Sequence, residues 1–99
     1  MDIMMDTMKN VKTNDFKRGD QIMYIPIHAN NNPKHPDCEK GFVTSVKGES
    51  IFCRYWSNRY PNELRTKSCS EATPRSYLIY YRYMTQDTIT KTLERYCPQ

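Results

Sequence analysis

Four side chains able to ligate a metal crowd one short stretch of this 99-residue chain: His28, His35, Asp37 and Cys38. Imidazole and thiolate are zinc ligands, and a tetrahedral structural site takes four of them. A flexible loop can bring His28, His35 and Cys38 together, with Cys69 as a distant fourth, and that set is the candidate structural zinc site. The spacing lacks a C-x2-C or H-x3-H knuckle. The plainer reading is a loop shaped by Asx and proline turns, whose histidines bond the backbone.

A second cluster mixes bases and aromatics. Arg54, Tyr55, Trp56, Arg59 and Tyr60 lie on one segment, and Tyr80, Tyr81, Arg82 and Tyr83 on another. Aromatic faces stack on unpaired bases and guanidinium groups meet phosphate, so this mixture suits single-stranded nucleic acid. Tyr, Trp, Met and Arg are equally the residues of protein interface centres. The candidate binding surface is therefore Arg54, Trp56, Arg59, Tyr60, Tyr81 and Arg82, with a protein or a nucleic acid as partner. Strand alternation puts Ile51, Cys53 and Tyr55 on one side and Phe52, Arg54 and Trp56 on the other. An arginine beside a tryptophan implies that the second face is partly solvated. The alternative is that Trp56 and the tyrosines complete a small core, with arginine stems lying over them.

Catalysis has little to stand on. The chain has no Gly-rich phosphate loop, no G-x-S-x-G elbow and no H-E-x-x-H. Cys38 and His35 resemble a nucleophile and its base, but no third orienting residue accompanies them. The expectation is a protein that binds and does not catalyse.

The elements that must position these residues are short. The chain is 37% hydrophobic yet 12% aromatic, with a mean hydropathy of −0.88. That combination predicts one small aromatic-rich core under a polar surface, because disordered chains are poor in aromatics. No apolar run is long enough to span a membrane, and residues 1–10 carry Asp2 and Asp6 without a signal-type apolar segment. Reduced cysteines and a cytoplasmic location are thus expected. The formal charge of +4 suits an acidic partner but decides nothing alone.

Residues 1–15 read either as a loose leader or as a short helix using Ile3, Met4, Met8 and Val11. After the turn at Gly19-Asp20, a strand is expected over 21–27, with Pro26 marking an edge or an end. A polar loop over 29–40 follows, long enough to be functional. Strands over 41–46 and 50–56 form a hairpin about Gly48. A polar excursion covers 57–76, and aromatic and β-branched residues predict a strand over 77–84. Thr85 then caps a helix whose apolar stripe is Ile89, Leu93 and Tyr96. The pattern predicts a mainly β fold: a barrel of about five strands over 16–84, with a helical extension over 85–99.

Phe16-Lys17-Arg18-Gly19-Asp20-Gln21-Ile22-Met23-Tyr24 resembles the opening strand of SH3-like and KOW-like barrels. A tighter resemblance is to small, mostly uncharacterised proteins of tailed bacteriophages and prophages. It rests on Gly19-Asp20, Tyr24-Ile25-Pro26, His28-Ala29, His35-Pro36-Asp37-Cys38-Glu39, Gly41-Phe42-Val43-Thr44-Ser45 and Ile51-Phe52-Cys53-Arg54-Tyr55. Ala72-Thr73-Pro74 and Leu78-Ile79 resemble the final turn and strand. The resemblance covers roughly residues 16–80 and implies an SH3-like barrel. It implies a bacterial-host setting, in which such a module acts as an adaptor or inhibitor of a host protein complex, counter-defence against a nuclease system included. The leader and the tail after Tyr80 depart from the pattern.

Overall fold

The computed structural model describes residues 16–60, 62–65 and 70–97. The leader over 1–15, and Cys69 within the polar excursion, lie outside the described residues. Five antiparallel strands and one helix make up the fold: β1 Gln21–Tyr24, β2 Glu39–Lys47, β3 Ser50–Tyr55, β4 Glu71–Pro74, β5 Leu78–Tyr80 and α1 Gln86–Tyr96. They form one sheet in the order β4-β3-β2-β1-β5.

The two edge strands, β4 and β5, are consecutive in the chain and are joined by a 3-10 turn at Arg75–Tyr77. A flat sheet would hold them about 19 Å apart, at roughly 4.8 Å per strand. A three-residue 3-10 turn rises only about 6 Å. The sheet must therefore curl until its edges approach, which gives the expected small barrel-like architecture.

Local chemistry sets the strand boundaries. The β2–β3 hairpin turns at Gly48, whose φ of 61° is cheap for glycine and strained for other residues. β1 stops at Tyr24, short of the expected residue 27, because Pro26 offers no ladder donor and leads into a 3-10 turn at Ile27–Ala29. The last strand is shorter than its aromatic run predicts, ending at Tyr80. Beyond it the Gln21 side chain replaces the ladder, accepting from the backbone N–H groups of Tyr83 and Met84 at 3.0 Å each. The Gln21 amide also donates to the Met84 carbonyl at 2.7 Å. β4 falls inside the polar excursion, where no strand was expected.

The curled sheet has an inner and an outer apolar face. Phe16, Ile22, Val43, Ile51, Cys53, Tyr55 and Leu78 fill the inner one. On the outer face, Ile89 and Leu93 of α1 cover Phe42 and Trp56. Thr85 caps the helix as expected, its hydroxyl accepting from the Thr88 N–H at 3.2 Å. Tyr96 departs from the stripe and is 53% exposed. The chain beside it is held instead by two arginines: Arg18 donates to the Cys97 carbonyl and Arg54 to the Tyr96 carbonyl at 3.5 Å. Cations at a helix C-terminus face its negative end. Among the described residues no helix is long and apolar enough to cross a membrane.

Candidate binding pocket and histidine loop

The structure divides the basic-aromatic cluster. Arg54 is 2% exposed, with its guanidinium 3.2 Å from Cys97 Sγ. It lies beneath the end of α1, so the expectation that its face is solvated is corrected. Trp56 is 9% exposed and belongs to the outer core, with its ring 5.8 Å from that of Phe42. Alternation assigned both residues to the correct face, and the helix then covered that face. Arg54 is closed off from a ligand, and Trp56 shows only the part that lines a pocket beside it.

Arg59, Tyr60 and Arg82 remain exposed and Tyr81 is half-buried. The Arg59 guanidinium lies 5.6 Å from the Tyr60 ring centre. Both sit on a turn shaped by Ser57, whose hydroxyl accepts from their backbone N–H groups at 3.2 and 3.0 Å. Tyr81 stacks on Tyr83 with centroids 6.4 Å apart and planes 23° apart. The Lys40 ammonium stands 5.4 Å over the Tyr81 ring.

Between these two groups opens a pocket of about 420 Å3, lined by Lys40, Trp56, Asn58, Asn62, Tyr83 and Met84, with Ser57 and Cys38 at its sides. Its aromatic wall is locked in place. Trp56 Nε1 donates to the Tyr83 hydroxyl at 2.7 Å, and that hydroxyl donates to the Gly41 carbonyl at 2.6 Å. Burial holds the Tyr83 hydroxyl above the usual phenol range, so it stays a donor. No protein-family model, no curated protein and no solved structure matches this chain. The pocket must therefore be interpreted from its own chemistry.

Sequence reasoning missed Lys40, Asn58, Asn62 and Met84 as pocket residues. They meet because Trp56 forms an isolated bridge with Leu64, bringing the chain back along the end of β3, where the Ser57 N–H donates to the Glu63 carbonyl and the Arg65 N–H to the Tyr55 carbonyl, each at 2.8 Å. A lone leucine in a polar stretch was the only signal for that fold-back.

The histidine loop is also rearranged. His28 and His35 do come together, their rings 5.2 Å apart at 80°, but their companion is Asp37. His28 Nε2 and Asp37 Oδ2 are 2.7 Å apart, and His35 Nδ1 accepts from the Asp37 backbone N–H at 3.0 Å. Cys38 is not with them. It is buried with Met23 and Ala29, donating to the Asn32 carbonyl at 3.3 Å. Strand direction explains the split: Asp37 ends the turn while Cys38 faces inward just before β2. Burial pushes the Cys38 thiol up and the Cys53 thiol up to about 12, so neither is poised as a thiolate.

A third polar group joins the far edge of the sheet. Arg65 pairs through Nε with Glu39 at 2.8 Å and through Nη2 with Glu71 at 2.7 Å. Its guanidinium also lies 5.7 Å from the Tyr55 ring centre. Burial holds the Glu39 carboxyl above its ordinary range despite this partner. The arrangement ties β2 to β4 through a residue of the polar excursion.

Proposed function

We propose that this protein is a non-catalytic binding module that seats a segment of a partner protein in the pocket between Lys40, Trp56 and Tyr83. The observation that carries the reading is the lining itself: an aromatic wall, a methionine, two amides and one cation around an open cavity. Aromatic residues, Met and Arg are enriched at interface centres, and aromatic anchors in pockets carry most binding energy. Arg59 and Tyr60, both exposed, follow the pocket-lining Asn58 in the chain.

The placement of Arg54 and Trp56 weighs against nucleic acid. A buried guanidinium cannot neutralise phosphate, and Trp56, 9% exposed, leaves little ring area on which a base could stack. Of the runner-up surface, Arg59 and Arg82 are left. The resemblance to phage-encoded proteins supports a partner from a bacterial host, with the module acting as an adaptor or inhibitor of a host protein complex. Counter-defence against a nuclease system is one form of that role.

Peptide-display selection on the immobilised protein, followed by titration of selected peptides against Lys40→Glu and Tyr81→Ala, tests the reading. Affinity is expected to fall at least about 10-fold in each variant, as for loss of an interface anchor. Peptide binding unchanged in both variants would overturn it. So would oligonucleotide binding that is tight at low salt and lost at high salt.

A further inference from the structure

The chain has two histidines in all, and the fold brings both against one carboxylate at the surface. We infer that His28, His35 and Asp37 form a binding site for a divalent transition ion of the zinc class, independent of the peptide pocket. One ligand atom from each residue lies within 4.8 Å of the other two. Ligands of one tetrahedral zinc ion, bound at about 2.0–2.2 Å, stand roughly 3.3 Å apart. Small side-chain rotations at an exposed site close that difference. Two imidazoles and a carboxylate form a borderline donor set, suited to zinc over magnesium or calcium, which take oxygen.

The loop is already shaped to present them. His28 sits in the 3-10 turn Ile27–Ala29, and Asn30 and Asn31 turn the chain with φ of 53° and 62°. His35 N–H donates to the Asn32 carbonyl and Cys38 N–H to the His35 carbonyl, each at 3.1 Å. Cys38 anchors the end of the loop in the core, so the order cost of forming the site is already met by folding.

The protons can be followed. A hydrogen bond between His28 Nε2 and the Asp37 carboxylate places a proton on that nitrogen, and the tautomer follows from the partner. The ion takes this proton's place, and the proton moves to Nδ1 or to water. His35 offers the Nδ1 lone pair that otherwise accepts the Asp37 N–H. Three protein ligands leave a fourth position for water or an exchangeable donor. The ion cross-links the 3-10 turn to the 35–37 turn.

Zinc titration by calorimetry on the reduced full chain, with cobalt(II) absorption as a second probe, tests the site. One ion per chain is expected, with no thiolate-to-cobalt band. His28→Ala and His35→Ala should each weaken zinc at least about 10-fold and Asp37→Asn measurably. His28 and Asp37 are exposed and His35 is half-buried, and unchanged melting without metal verifies that these variants keep the fold. No zinc binding at millimolar metal would overturn the inference. A thiolate band, or affinity indifferent to the histidine variants, would overturn it equally.

Discussion

The inner and outer faces of the sheet are made by the same strand, residue by residue, yet they are closed in different ways. On the inner face, Ile51, Cys53 and Tyr55 meet side chains from the other strands, and the one polar tip, Tyr55 OH, bonds Thr73 Oγ1 at 2.8 Å. The outer face carries Arg54 between Phe52 and Trp56, and α1 closes it. There the buried cation is matched to the Tyr96 carbonyl and the Cys97 sulfur at the helix end. Curling alone produces the inner core. The outer one depends on a segment that follows the last strand, and a charged residue serves as its latch.

The largest effect should come from the inner face. A Cβ on Gly41 would sit 2.3 Å from the Arg54 carbonyl oxygen and 2.7 Å from Tyr55 Cδ1. Backbone cannot yield as a side chain can, so Gly41→Ala is expected to cost about 3 kcal/mol, at the upper end for overpacking. Urea unfolding measures this, and a loss under 1 kcal/mol would show that the strands separate more easily than the packing suggests.

Arg54→Met should cost less, about 2 kcal/mol, because it removes the hydrogen bonds that the guanidinium makes to the end of the helix. The distinguishing signature is local: amide exchange over 86–97 should accelerate while β1–β3 stay protected. Equal acceleration in both regions would mean that the two faces unfold as one.

The smallest effect is expected at Glu39, whose carboxyl is raised by burial. Between the ordinary carboxylate range and that raised value, the folded chain binds more proton than the unfolded one. Its contribution is therefore full in acid and lost as pH rises through the folded value. Glu39→Gln should be neutral or stabilising by up to about 1 kcal/mol at pH 7, with no gain at pH 4. Denaturation at both pH values measures the difference, and destabilisation at pH 7 would reveal net attraction from Arg65.

The scaffold was largely legible from the residues. Gly48 marked the hairpin, Thr85 the helix cap, and alternation along Ile51 to Trp56 sorted the two faces. The missing information concerned coverage. Arg54 looked solvated because nothing local says that Ile89 and Leu93, more than thirty residues away, will lie over it. β4 was hidden because Glu71–Pro74 reads as polar chain and becomes a strand only by pairing with β3. The metal-ligand types in the 28–38 loop were visible, but their selection was not. Whether Asp37 or Cys38 joins the histidines depends on which of two adjacent residues faces inward.

The pairing of β1 with β5 also orders events during synthesis. The β2–β3 hairpin joins near neighbours, Lys47 with Ser50 at its tip, and can zip early. Ile22, by contrast, pairs with Tyr80, made on the order of 60 residues later. At ribosomal speeds that is a wait of about 3–12 s. Throughout it β1 carries an open edge, the kind of surface that pairs with other chains. The nascent molecule is most exposed to misassembly just before its shortest strand arrives.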